Sequence, residues 1–418
     1  MMKPRALVIG GSLGGLFAAC MLRDIGWDVC IYERVEDDLA SRGAGIGTHD
    51  ELMNVIRGLG LAVDESIGVR VRQRICLDRG GRVAHEVALP QFMSAWARIY
   101  RLLKDALPAD CCRFGTALER LEQDGSGITA VFADGTRASG ELLVGADGLR
   151  STVRAQLLPA AEPRYAGYVA WRGVADEWDI PPEVHAELFE KYTFCLPEGE
   201  MMLAYPVPGR DNDTRAGRRG YNFVWYRPTG EHDALPALCT DAAGRCHGQA
   251  IAPPLIRPEV IARMKADARA LLAPQIAGIV ERTAQPFFQA IYDLESPRIA
   301  FGRAVLLGDA AFVARPHVGM GVTKAALDAR CLADALRDCG DVDAALARYD
   351  RERRRFGSRI VARARSLGAW IEARSRPDDI RGAAAQQPHP EFVMREIGSS
   401  AVDIGALTAA ARSTGSGI

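Results

Sequence analysis

The sequence predicts an α/β fold in which a glycine-marked strand, helix and strand open the chain and a second, β-sheet domain and C-terminal helices follow. Three observations carry that expectation. The apolar run Ala6 to Ile9 meets Gly10-Gly11-Ser12-Leu13-Gly14-Gly15, then a stretch of helical length from Leu13 to Ile25, then a second apolar run from Asp28 to Tyr32 that ends in Glu33. Two later apolar runs also end in glycine and acid, one reaching Gly145-Ala146-Asp147-Gly148 and the other, Ala304 to Leu307, reaching Gly308-Asp309. Strands of an open sheet end this way at their ligand edge. From about residue 162 to 290 aromatic residues gather in alternating runs of strand type, among them Tyr165, Trp171, Tyr192, Tyr205, Trp225 and Tyr226.

At 418 residues the chain is long enough for two domains, each with its own core. Its 48% apolar and 25% charged residues, with 42 glycines, fit a globular α/β protein. With 52 Lys and Arg against 53 Asp and Glu the net charge is -1, so a small-molecule ligand is expected and a nucleic-acid partner is not. The ten cysteines follow no metal-site spacing and no CxxC occurs. Cys239, Cys246 and His247 read as an ordinary loop, no metal is expected, and the thiols suit a reducing, cytoplasmic compartment. The apolar stretch from Ala6 to Leu22 is shorter than a membrane span and is broken by glycines and Ser12, so no membrane partner is expected.

In the first unit the glycines let the backbone turn tightly and approach a pyrophosphate at the helix N-terminus. Gly10 and Gly15 mark the ends of the pattern, and Leu13 opens the helix. Ser12 stands where glycine is usual, and its hydroxyl can donate to a phosphate oxygen. Glu33 lies eighteen residues beyond Gly15, where an acid accepts from a ribose hydroxyl, and Arg34 follows it. Together these make a Rossmann-like dinucleotide site, in which this unit alone does not separate NAD from FAD. Further on, Ile128 to Phe132, Asp134-Gly135 and Arg137 to Val144 read as a hairpin. Val342 to Ala373, dense in arginine, reads as one or two surface helices, and the chain after Ser375 as a loosely packed tail.

Three motifs in order, from Val8 to about Arg330, resemble the single-component FAD-dependent aromatic hydroxylases related to p-hydroxybenzoate and salicylate hydroxylases, the class A flavoprotein monooxygenases. They are the fingerprint; Gly145-Ala146-Asp147-Gly148 with Ser151 and Arg154; and Gly308-Asp309-Ala310-Ala311 with Pro316, Gly319 and Gly321. Tyr165-Ala166-Gly167-Tyr168-Val169-Ala170-Trp171-Arg172-Gly173, Ala204 to Arg210, and Arg315-Pro316-His317 are most similar to the dihydroxypyridine hydroxylases of that family. The resemblance implies a Rossmann-like FAD-binding domain of p-hydroxybenzoate hydroxylase type with a second β-sheet substrate domain. On that plan the FAD-binding domain takes residues 1–75, 99–161 and 291–374, the last with the C-terminal helices. Substrate-domain strands fall at 76–98, the substrate domain at 162–290 and the tail at 375–418.

The resemblance also implies roles. Asp147 is expected near the pyrophosphate and the nicotinamide co-substrate, Asp309 on the ribitol, and the turn Pro316, Gly319, Gly321 along the flavin ring. Gly43-Ala44-Gly45-Ile46 and Arg101 match cofactor-contacting positions. Phe312 and Thr323 stand where His and Asn are common in the family. NADH or NADPH would reduce FAD transiently, O2 would add to give a C4a-hydroperoxyflavin, and an electron-rich ring would be hydroxylated with water kept out.

A deprotonated ring hydroxyl speeds such attack, so a group that shares its proton is expected, and His317, next to Pro316, is the candidate; packing under its loop is the alternative. Tyr205 and Tyr226 could line the pocket, and Arg172 could hold the flavin or an anionic ring. The leading expectation is an NAD(P)H- and FAD-dependent monooxygenase of a small hydroxylated aromatic or N-heteroaromatic ring, with a dihydroxypyridine first. A salicylate- or hydroxybenzoate-type hydroxylase, with Arg172 or Arg210 on a carboxylate, is the sibling reading. A non-oxygenating flavoprotein reductase or redox-dependent binding protein is the rival class. A homodimer is expected from the prevalence of two-fold oligomers alone.

Overall fold

Four short apolar strands, Leu142–Gly145, Arg5–Ile9, Asp28–Tyr32 and Ala304–Leu306, pair in parallel in the computed structural model, which describes residues 3–36, 39, 45–125, 127–376 and 386–399. Strands buried on both faces need no alternation, which is why these runs are continuously apolar. Ala300–Phe301 and Cys112–Arg113 complete a six-stranded sheet at its two edges. The helix Leu13–Asp24 packs against it and against the helix Gly321–Asp338. Helix and strand approach so closely that a Cβ on Gly15 would lie 1.9 Å from the Gly10 carbonyl oxygen. Because the strands are parallel, Ile9, Tyr32, Gly145 and Leu306 all end at one rim, the place where open α/β sheets hold ligands.

The second sheet has eight strands, ordered Phe312–Val313, Phe287–Glu295, Arg164–Asp176, Gly220–Pro228, Met201–Val207, Lys191–Cys195, Gln73–Leu77 and Val83–Val87. Here the two-residue period of a strand decides which side chain faces what. Register pairs Arg172 with Val224 and Ala170 with both Tyr226 and Gln289, so these residues share one face. Leu203, opposite Val224, extends that face to Tyr205 two residues on. The intervening Trp171, Ala204, Phe223, Trp225 and Phe288 face the other way, into a core closed by the helices Pro258–Leu271 and Pro274–Arg282.

The predicted hairpin is corrected in one respect. Ile128–Phe132 pairs with Arg137–Gly140, but the rest of the apolar run separates as Leu142–Gly145 in the six-stranded sheet. The chain changes sheet at Gly140, where a Cβ would come within 2.7 Å of the Arg5 carbonyl oxygen. Val342–Arg374 is one helix that touches both large sheets, and Pro390–Glu396 packs on the strands Gln73–Leu77 and Val83–Val87. Among the described residues no helix is long and apolar enough to cross a membrane.

Candidate active site

A cavity of about 710 Å³ runs from the rim of the six-stranded sheet to the inner face of the eight-stranded one. At the rim, Ser12 precedes the helix Leu13–Asp24 with extended backbone, and its side chain makes no capping bond. The first-turn amides of that helix therefore carry their positive partial charge toward the cavity. Gly10 enters the turn at φ +107°, and a Cβ there would lie 2.4 Å from the Ala146 carbonyl oxygen. Glu33 is buried at the end of its strand, accepting from the Gly11 and Val35 amides at 2.7 and 3.0 Å, with Arg34 beside it on the cavity wall. Each carboxylate oxygen keeps a further lone pair for a hydroxyl donor.

Asp147 lines the cavity but is also built into the fold. It accepts from the Ser151 hydroxyl at 2.5 Å and the Val153 amide at 3.2 Å, and burial pushes its carboxyl upward. Asp309 extends into the cavity with a side chain 53% exposed, 3.7 Å from the buried Lys324 ammonium. Pro316 and Gly319, the latter at φ +65°, form a single helical turn along the wall, and Gly321 opens the next helix, again with no side-chain cap. Two open helix N-termini and a set of backbone and acid groups thus frame the long arm of the cavity. That set of donors and acceptors fits FAD: amides that donate to a pyrophosphate, acids that accept from ribose and ribitol hydroxyls, and a bare turn beside which a flat ring can lie.

The inner end is aromatic and carries the guanidinium of Arg172. Arg172 lies among Tyr192, Tyr205, Tyr226 and Gln289, with no carboxylate partner among the described residues and its Nε unbonded. Tyr205 is seated under Gly45, where a Cβ would strike its ring at 2.5 Å, and Ile46 continues the same wall. Burial raises Tyr226 to about 12, against the opposing pull of Arg172, and lifts Tyr192 and Tyr205 as well. Burial keeps all three as neutral phenols at ordinary pH, so none of them supplies Arg172 with a negative partner.

The structure corrects several expectations. His317 does not line the cavity: it is fully buried, its Nε2 bonds the Tyr168 hydroxyl at 2.7 Å, and its ring lies behind Tyr226 with centroids 4.5 Å apart. Neighbours in a helical turn point different ways, so the exposure of Pro316 does not extend to it. Arg101 stands on the outer side of the helix Trp96–Asp105, 3.9 Å from Asp211, and Trp96 of that helix faces the cavity instead. Leu13 and Gly15 lie beneath the fingerprint turn, where they pack helix on strand. Arg210 is at the surface with Asp176 and Trp178. Phe312 packs against Gly357, and Thr323 bonds His49 Nδ1 at 3.1 Å. Gly43 and Ala44 lie outside the described residues.

Sequence reasoning passed over Trp96, Arg150, Gln289, Ile397 and Gly398, all on the cavity wall. Tyr192 was visible only as one of the clustered aromatics. The strand alternation that marks Arg172 would have marked Gln289 too, once its pairing was known.

Burial lowers His317 to about 3 and His49 to about 4, from an ordinary 6.5. Both are neutral in the fold and protonated in the unfolded chain below pH 6.5. Their contribution to stability is complete above pH 6.5 and is lost as pH falls toward 4 and then 3, at up to about 1.4 kcal/mol per pH unit for each. Replacing both by Gln should flatten the fall in unfolding free energy between pH 7.5 and 5.0, measured by urea titration with saturating FAD. An unchanged slope would place the acid sensitivity elsewhere.

The family described as FAD binding domain matches residues 3–217 and 274–364, and a second, FAD binding domain-like, matches 165–293. A 2,6-dihydroxypyridine 3-monooxygenase of Paenarthrobacter nicotinovorans is 32% identical over 370 residues, covering 88% of this chain and 91% of the relative. The solved 2,6-dihydroxypyridine-3-hydroxylase from Arthrobacter nicotinovorans superposes with a TM-score of 0.84 at 29% identity, over 93% of this chain and 99% of that one. Klebsiella pneumoniae HpxO, solved with FAD and uric acid, gives a TM-score of 0.73 at 26% identity, over 98% and 97%.

Proposed function

The chain belongs to the FAD binding domain family and is an FAD-dependent aromatic monooxygenase; from that premise we propose that it hydroxylates a hydroxylated N-heteroaromatic ring of the dihydroxypyridine type, using NAD(P)H and O2. One observation carries the choice of ring. Arg172, without an acid partner among the described residues, faces three neutral tyrosines and the amide of Gln289. The cation suits a deprotonated ring hydroxyl, and a carboxamide offers a donor and an acceptor to a ring edge that carries N–H and C=O side by side. A benzene ring lacks that second edge. Arg172 alone would also suit a carboxylate, which supports the hydroxybenzoate reading as the second choice.

When bound, FAD supplies the electron transfer and oxygen activation that no side chain here can perform. The residues do the rest. Ser12 and the first-turn amides hold the pyrophosphate, Glu33 a ribose hydroxyl and Asp309 the ribitol, while Gly45, Ile46, Pro316, Gly319 and Gly321 shape the slot for the ring system. Arg172 lowers the pKa of the bound substrate hydroxyl and so enriches the ring in electrons. Tyr205 and Tyr226 flank the ring and exclude water. His317 acts from behind, holding Tyr168 and backing Tyr226. All ten cysteines, each among the described residues, are free thiols, which supports a reducing, cytoplasmic setting. A homodimer in solution is part of the same reading.

The deciding experiment follows NADH and NADPH oxidation by the yellow holoenzyme with a panel of hydroxypyridines and hydroxybenzoates, and weighs the products. Oxidation stimulated by a hydroxypyridine, with product heavier by one oxygen atom, is the expected result. Stimulation by hydroxybenzoates alone would transfer the assignment to the second reading.

A further inference from the structure

Arg74 lies on Gln73–Leu77, the strand next to the edge of the second sheet, with none of its surface exposed, and no carboxylate pairs with it among the described residues. Its guanidinium donates instead to the carbonyls of Met394, Ile397 and Gly398 at 2.7, 2.6 and 3.0 Å, and to Gln91 Oε1 at 2.6 Å. Met394 lies in the last turn of the helix Pro390–Glu396, whose terminal carbonyls have no partner within the helix and whose dipole is negative at that end. The charge therefore acts as a cap, supplied by a strand 320 residues earlier in the chain.

Two further contacts lock the same segment. Gln91 Nε2 donates to the Gly398 and Thr48 carbonyls, both at 3.0 Å. The Gly398 amide donates to the His317 carbonyl at 2.7 Å, in the turn that leads to Gly319. Ile397 and Gly398 are cavity wall. The Arg74 guanidinium also lies 4.7 Å from the ring centroid of Tyr192, another wall residue, and a Cβ on Gly398 would sit 3.2 Å from the Tyr192 hydroxyl. The segment thus bridges the sheet that carries Arg172 and the turn that carries Gly319.

We propose that Arg74 is a positioning residue for the reaction: with Gln91 it clasps the segment 394–398 as the wall that shuts water out of the ring pocket. It makes no contact with substrate and acts through Ile397, Gly398 and Tyr192. The role in hydroxylation rests on the monooxygenase reading above, whereas the clasp itself can be read without any substrate. When the wall loosens, NAD(P)H and O2 are still consumed, but the two electrons and two protons leave as hydrogen peroxide and no oxygen atom reaches a ring.

The test uses FAD-loaded Arg74→Met, Arg74→Lys and Gln91→Leu beside the parent enzyme. Hydrogen exchange of the peptide 390–399 should speed by about tenfold in Arg74→Met and Gln91→Leu, the loss of roughly one net hydrogen bond, with other peptides unchanged. Iodide should quench the bound flavin's fluorescence more strongly, and product per NAD(P)H should fall at least about twofold while peroxide rises. Arg74→Lys, which keeps the cap's charge, should recover part of each. Exchange and quenching equal to the parent's would overturn the clasp, as would a uniform loss of protection across all peptides, which marks a merely structural arginine. If Arg74→Met does not fold, Gln91→Leu decides. A parent enzyme that couples to no ring would sink the monooxygenase reading and leave the clasp to be judged by exchange and quenching.

Discussion

Arg172→Met should leave FAD content unchanged while the dissociation constant of the ring substrate rises about 10- to 100-fold, the weight of one or two charge-assisted hydrogen bonds in a water-poor site. The reasoning is electrostatic. Arg172 has no acid partner among the described residues, so its charge is available to a ligand, and the surrounding tyrosines are held neutral by burial. Without the cation the ring hydroxyl keeps its proton to higher pH, because a nearby positive charge is what favours the anion. Absorbance of the bound ligand, titrated from pH 6 to 9, reads this directly: the anion's band should appear at higher pH in the variant. Arg172→Lys should fall between, since an ammonium keeps the charge and loses the planar fork. A variant that binds the ring as tightly, with the same spectrum, would remove Arg172 from substrate recognition.

The parts of this protein that could be read from sequence are those written in local pattern. The fingerprint turn, the three strands ending in glycine or acid and the alternating aromatic strands each depend on residues near one another in the chain. Arg172, Tyr205 and Tyr226 stand on the cavity wall because strand alternation puts them on one face. His317 was harder, because adjacency to Pro316 says nothing about direction within a helical turn. Arg101 is hard to place for a similar reason: a matched position on a helix with one buried and one exposed face does not fix which side faces the ligand. Gln289, an unremarkable amide in a strand, gains meaning only from its register with Ala170. The wall at Ile397 and Gly398 was beyond reach, since the Arg74 and Gln91 contacts that hold it join residues more than 300 positions apart.

Gly15→Ala should give a nearly colourless protein, with FAD affinity reduced at least about 100-fold and a lower melting temperature. The added methyl would sit 1.9 Å from the Gly10 carbonyl oxygen and 3.2 Å from the Val8 side chain, and the first of these partners is backbone, which cannot turn aside. Helix and strand must then part by an ångström or more. That displacement acts twice. It opens the packing among Val8, Leu16 and Phe17 in the core, and it withdraws the first-turn amides from the place where Ser12 and Gly10 meet the cavity. An anion held by a helix N-terminus loses most of its benefit within one turn's distance, so the loss of flavin should exceed what the loss of stability accounts for. Flavin retained after gel filtration, together with the melting curve at several FAD concentrations, separates the two. Full yellow colour with a lowered melting temperature would mean that Gly15 serves the core alone; colour lost with a nearly unchanged apoprotein melt would mean that the close approach is kept for the cofactor.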